Sequence, residues 1–279
     1  MKPILLFDTQ DKFVRFMKLL SITCMILILL LPACRKDKID HARISTFDLT
    51  SSVNGSTYQI KVALPKHFST DRTYKTLYVL DPKTDFNLVA SECDKKSSDL
   101  NKEEILVVGI GGGNNRLDDY FPVPYKGHKG AADKFIQFIQ QELIPKMEKD
   151  FHASNTRADR AMIGHSAGGL CVAYCFTNYP GIFGNYLCLS PSLWLGNQIV
   201  LKNEKAHRAI NQTSTGVFFL AAGELEEEIM RPPIALLDQI LQQHYNGFTK
   251  QYHLARGLDH LGSKTPNIKQ AVAFYFQQL

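Results

Sequence analysis

The stretch Gly164-His165-Ser166-Ala167-Gly168-Gly169 decides the fold. It has the form G-x-S-x-G, with glycines at 164 and 168 on either side of Ser166. The apolar Ala161-Met162-Ile163 before it reads as the end of a strand. Leu170-Cys171-Val172-Ala173-Tyr174-Cys175-Phe176 after it reads as an apolar helix. Strand, sharp turn and helix form the context of a nucleophile elbow. An elbow holds its serine in strained backbone geometry, and the glycines leave room where a Cβ would clash. Ser166 is thereby lifted clear at a helix N-terminus, where the dipole and free N–H groups favour developing negative charge.

Downstream of the elbow, residues 183–189 read as a strand leading into Ser190-Pro191-Ser192-Leu193-Trp194. Residues 216–222 read as another, leading into Gly223-Glu224-Leu225-Glu226-Glu227-Glu228. Residues 228–244 look helical, broken near their start by Pro232-Pro233. A last strand at 248–255 precedes the loop Gly257-Leu258-Asp259-His260, and a closing helix covers 267–278.

Upstream, 129–151 is a long helix with an apolar stripe of Phe135, Ile136, Phe138, Ile139, Leu143, Ile144 and Met147. The buried strand 104–110 enters Gly111-Gly112-Gly113-Asn114-Asn115. A helix begins within 86–93, and the short strand 74–80 ends at Asp81-Pro82. Earlier still, 43–51 and 57–64 form a hairpin about Asn54-Gly55, a strong turn signal. A starting hairpin followed by apolar strands alternating with helices implies one α/β domain. Its sheet is mostly parallel, with helices on both faces and an antiparallel hairpin at the N-terminal side.

Working residues of open parallel sheets gather at the carboxyl ends of the strands. Ser166, an acidic run and His260 follow successive strands here, in the chain order serine, acid, histidine of an α/β-hydrolase triad. A serine hydroxyl needs a base, and the base needs an acid to hold its tautomer. His260, in a loop after the last strand, is the base. Glu226 is the first choice of acid and Glu224 the second. His165, the x residue of the elbow, points elsewhere and packs. The oxyanion needs two N–H donors. One is the amide of Ala167. The other comes from the loop after Leu80, and since Pro82 has no N–H it falls to Lys83. The run 109–114 fails G-x-G-x-x-G at its last position, so it reads as flexible backbone at the rim of the cleft rather than a nucleotide site. Arg116, Asp119 and Tyr120 follow it within reach of a substrate. Arg116 and Tyr120 from this loop, with Trp194 from another, place a cation beside aromatic faces, which suits an aromatic acyl group bearing hydroxyl or negative oxygens.

The chain has 279 residues, 44% hydrophobic and 21% charged, with a net charge of +5. That composition is globular and allows one sizeable core. The small basic excess forms no stripe interleaved with aromatics, so nucleic acid is not an expected partner. The six cysteines make no disulfide framework or metal spacing. Cys171 and Cys175, one helical turn apart, read as small core residues. The chemistry expected of Ser166 and His260 requires no metal and no organic cofactor.

Residues 19–31 are almost wholly apolar, behind Lys18 and before Leu31-Pro32-Ala33-Cys34. Such a stretch reads as a secretory signal, short for a transmembrane helix. Ending on cysteine, it resembles a bacterial lipoprotein lipobox. The resemblance implies cleavage before Cys34, lipid on its sulfur, and a domain held outside the cytoplasm at a membrane. The domain reading is therefore 1–33 signal segment, 34–42 charged tether, and 43–279 hydrolase domain.

Several segments resemble the esterase D-like branch of the α/β-hydrolases, and among it the siderophore (enterochelin-type) esterase group. They are Tyr78-Val79-Leu80-Asp81, Val107-Val108-Gly109-Ile110, Arg116-Leu117-Asp118-Asp119-Tyr120, Glu142-Leu143-Ile144-Pro145, the elbow, Ser190-Pro191-Ser192-Leu193-Trp194, Gly223-Glu224-Leu225-Glu226 and Gly257-Leu258-Asp259-His260. The resemblance implies Ser166 as nucleophile, His260 as base and a small-molecule ester as substrate. Pro82 departs from the glycine usual in that family's oxyanion loop, and a glutamate stands where many relatives have aspartate. Acyl transfer by the same fold and a non-catalytic surface binding module are the competing expectations.

Overall fold

The computed structural model describes residues 39–113 and 115–279. The expected signal segment, Cys34 and most of the tether lie outside the described residues. The compact unit is Ile39–Leu279, so it takes in the end of the stretch expected as tether. Ile39 is buried in the core, and Arg43 ties the entry down by donating from Nη1 to the Leu64 carbonyl at 2.6 Å.

Eight strands form one sheet in the order β1 (Ile44–Thr50), β2 (Thr57–Ala63), β4 (Leu106–Gly112), β3 (Thr76–Leu80), β5 (Arg160–His165), β6 (Asn185–Leu189), β7 (Gly216–Gly223), β8 (Phe248–Ala255). The pairs β1–β2 and β2–β4 are antiparallel, and every pair from β4 to β8 is parallel. The central strands are largely apolar, as strands covered on both faces are. Their two-residue period sorts them between two cores. Leu77, Val79, Ile163, Leu187, Leu189 and Phe219 face one core, together with Phe86, Val89, Ile268 and Tyr275. Tyr78, Leu80, Met162, Tyr186, Cys188 and Phe218 face the other, with Phe135, Phe138, Leu170, Phe176, Leu237 and Tyr245. Helices α1 (Pro82–Leu100) and α8 (Lys264–Gln278) cover the first face. The second is covered by α3 (Ala132–Phe138), α4 (Ile144–Phe151), α5 (Ala167–Asn178), α6 (Leu195–Asn211) and α7 (Arg231–His244). A short α2 (Arg116–Tyr120) follows β4.

Helices α2 and α6 were not among the expectations, and three further features differ from them. Gly111 and Gly112 belong to β4 and pair with Gln59 and Tyr58, so this backbone is sheet rather than flexible rim. A Cβ at Gly111 would meet the Pro82 ring at 2.8 Å, which only glycine avoids. Pro232 and Pro233 open α7 rather than break it, because the first turn has no use for their missing N–H. The long helix 132–151 contains a π-helical turn, Ile139–Leu143, between α3 and α4. Cys171, Cys175 and Cys188 are buried free thiols in the core.

Candidate active site

Ser166 sits between β5 and α5 with φ 60° and ψ −117°, a conformation that L-residues adopt only when the surroundings over-determine it. The surroundings do so. Its N–H donates to the Leu189 carbonyl at 3.0 Å, and its carbonyl accepts from Leu170 N at 2.9 Å and Ser192 N at 3.2 Å. The Ser190-Pro191-Ser192 segment thus buttresses the elbow from the next strand. A Cβ at Gly164 would lie 2.6 Å from the Gly168 backbone, and one at Gly169 would lie 2.6 Å from the Leu189 carbonyl. Both glycines are set by the close approach of α5 to the sheet.

His260 lies in the loop between β8 and α8. Its Nδ1–H donates to Glu226 Oε2 at 2.8 Å, which leaves Nε2 as an acceptor. The Glu226 side chain is fully buried, and its Oε1 accepts from Gly223 N at 3.1 Å. Burial pushes this carboxyl up, but the hydrogen bonds from His260 and from the Gly223 amide help to outweigh it and hold it below the ordinary range. Glu224 is turned elsewhere: its Oε2 accepts from Gly257 N at 2.7 Å, tying down the start of the same loop. Of the two acids left open by the sequence, the fold brings Glu226 to His260. His165 is buried, but it does not point away from the site: it packs against His260 and lines the same cavity as Ser166. Its Nε2–H donates to the His260 carbonyl at 3.0 Å.

Ala167 and Lys83 stand in the first turns of α5 and α1, where amides have no intrahelical acceptor. The loop carrying Lys83 is fixed from several sides. Asp81, in the left-handed region at φ 56°, donates from N to Tyr120 Oη at 3.1 Å. Its carboxylate is gripped in fork geometry by Arg116, through Nε to Oδ1 and through Nη2 to Oδ2 at 2.6 Å. Pro82 is seated on Gly109, where a Cβ would lie 2.6 Å from the Pro82 Cβ, and on Gly111. Glycines two apart on one face of β4 therefore accommodate Pro82.

Ser166 and His260 open into one cavity of about 510 Å³, within the range of small-molecule sites. Lys83, Arg116 and Tyr120 line it, with Tyr58, Phe135, Asp119 and Lys264. Trp194 does not. It lies half-buried, stacked edge-on against Tyr125 with ring centroids 5.5 Å apart, and its Nε1–H points at Met230 Sδ at 3.0 Å. The expectation of Trp194 at the cleft is corrected: its ring fills the space beside the 121–128 loop. Arg116 is at the cleft, but Asp81 neutralises it. Asp81 was expected only as the end of its strand; its pairing with Arg116, 35 residues away, is a contact the sequence does not show. Sequence reasoning missed Tyr58 and Lys264, whose roles only the tertiary fold reveals.

The sheet order, the elbow and the loops at the strand ends define an α/β-hydrolase. The family model described as Putative esterase matches residues 51–252, and the chain belongs to that family of hydrolytic enzymes. Among its relatives are Uncharacterized protein YbbA of Bacillus subtilis, 27% identical over 198 residues, covering 68% of this chain and 74% of that one. Ferri-bacillibactin esterase BesA of the same organism is 26% identical over 203 residues, covering 64% of this chain and 69% of that one. The crystal structure of BES protein from Bacillus cereus superposes with a TM-score of 0.76 at 26% identity, covering 85% of this chain and 96% of that one.

Proposed function

We propose that the protein is a serine carboxylic-ester hydrolase working through an acyl-enzyme. The observation that carries this reading is the 2.8 Å bond from His260 Nδ1–H to buried Glu226, in a cavity shared with a strained Ser166. Ser166 Oγ attacks the ester carbonyl while His260 Nε2 takes its proton. The oxyanion so formed accepts from the Ala167 and Lys83 amides. Collapse breaks the ester C–O bond, and His260 returns the proton to the departing alcohol. Water then attacks the acyl-serine, giving its proton to His260, and the acid leaves as Ser166 regains its hydroxyl. Glu226 fixes the imidazole tautomer and stabilises the imidazolium. No step calls for a metal or organic cofactor.

The substrate we propose is a siderophore-type or other aromatic hydroxy-acid ester. The name of the relative BesA supports that class. So do the aromatic faces of Tyr58, Tyr120 and Phe135 in the cavity. Turnover of a short 4-nitrophenyl ester by residues 35–279 tests the chemistry. Ser166→Ala and His260→Ala should each lose at least about 10³-fold in rate; an active Ser166→Ala protein would refute the assignment.

From the pattern at residues 18–34 we further propose export and anchoring by lipid on Cys34. Radiolabelled palmitate should enter the wild-type protein expressed in a bacterial host and be absent from Cys34→Ser. Equal labelling of both would overturn the proposal.

A further inference from the structure

One carboxyl group is set into the aromatic part of the cavity wall. Asp119 lines the cavity beside Tyr58, Tyr120, Ile110 and Phe135, and only 6% of the residue is exposed. Its Oδ1 accepts from the Tyr58 hydroxyl at 3.0 Å, and that hydroxyl in turn accepts from Asn54 Nδ2 at 2.8 Å. Among the described residues no donor or cation meets the other oxygen. Arg116, three residues earlier, is turned to Asp81, and Lys264 is turned to Asp85 at 2.6 Å. Gly113, at φ 78°, leaves room for this oxygen: a Cβ there would lie 2.5 Å from Oδ2. Burial pushes the Asp119 carboxyl up to about 6, with the charge of Asp118 adding and the Tyr58 hydrogen bond opposing. At neutral pH it is an ionised group in a desolvated wall, with a partner among the described residues on one oxygen only. Such a group is costly until a donor reaches it.

We infer that Asp119 is a specificity-determining residue: its Oδ2 accepts a hydrogen bond from a hydroxyl of the substrate, and the aromatic wall around it selects a phenolic one. The inference rests on the esterase reading above and changes where substrate hydroxyls are recognised. The sequence pointed to the Arg116 cation for that task, and Asp81 already occupies it. A carboxylate acceptor discriminates in the opposite sense, favouring protonated hydroxyls over charged or alkylated oxygens. A site built to bond a hydroxyl rejects the analogue without one because its own polar group is then stranded.

Two matched pairs at pH 7 test this. The first is the 4-nitrophenyl esters of 4-hydroxybenzoic and 4-methoxybenzoic acid, compared by kcat/KM. The wild type should prefer the hydroxy ester by at least about fivefold, a modest hydrogen-bond increment. The isosteric Asp119→Asn, which keeps an acceptor for Tyr58, should lose or invert that preference. The second pair is 4-hydroxybenzamide and 4-methoxybenzamide, bound to the Ser166→Ala protein and measured by calorimetry. This pair needs no turnover, so it decides the role of Asp119 even if the esterase reading fails. Equal affinity of the Ser166→Ala protein for the two benzamides, or a preference in either pair that survives Asp119→Asn, would overturn the inference.

Discussion

His165 donates from Nε2 to the carbonyl of His260 at 3.0 Å, and the two rings lie 4.7 Å apart. The elbow therefore holds the histidine loop as well as presenting the serine. Burial depresses the His165 imidazole to about 3, with the charges of His260 and Lys264 adding to the effect. It stays neutral beside a neighbour proposed to gain a proton in each cycle.

The sign of the linkage follows from that depression. The unfolded chain protonates this histidine near pH 6.5, while the folded protein resists until about pH 3. The unfolded state binds the extra proton in between, so stability is full above pH 6.5 and falls as the pH drops toward 3. We expect the Tm of the wild type to fall between pH 7 and pH 4, and that of His165→Gln to fall less steeply. Parallel slopes would show that His165 is not the group responsible. His165→Leu, which removes the donor, should lower kcat by about tenfold or more through a loosened His260 backbone.

Glu226 and Glu224 separate cleanly in kinetics. Glu226→Gln leaves the carboxamide free to present the wrong partner to Nδ1 and should lower kcat by about 10²- to 10⁴-fold with little change in KM. Glu224→Gln loosens only the Gly257 turn and should stay within about threefold of wild type, the range of a modest loop effect. Reversed magnitudes would move the acid to Glu224.

Gly109→Ala tests the seat of the oxyanion loop. Its Cβ would come 2.6 Å from Pro82 and 2.8 Å from Phe86, so overpacking should cost about 1–3 kcal/mol in chemical denaturation. A shift of Lys83 should also reduce kcat. Adding Pro82→Gly relieves one of the two clashes and should recover part of both losses, giving a measurable coupling between the sites. Additive effects would mean that Pro82 and Gly109 do not act together.

Much of this architecture is legible in the sequence because it is local. The elbow announces itself by glycine spacing, and β8 falls at 248–255, the bounds read from the sequence. Helix α6 was not legible. Its opening residues Gly196, Asn197 and Gln198 are left-handed, and its buried face consists of little more than Leu195, Val200, Leu201 and the carboxylate-bearing Glu204. A buried glutamate satisfied by Arg208 at 2.7 Å and Tyr245 at 2.9 Å looks polar and exposed in a one-dimensional pattern. The partners of Arg116 and Trp194 were hidden for another reason. Asp81 and Met230 meet them across the fold, and no periodicity encodes such contacts.

A Ser166 nucleophile activated by His260 should react covalently with a phosphorylating inhibitor. Treatment of the wild-type protein with a fluorophosphonate, followed by peptide mass spectrometry, tests this most directly. One covalent adduct should form on Ser166, in step with loss of ester turnover and slowed at least about 10²-fold in His260→Ala. Failure to label, or an adduct on another residue with Ser166 untouched, would contradict that role for Ser166.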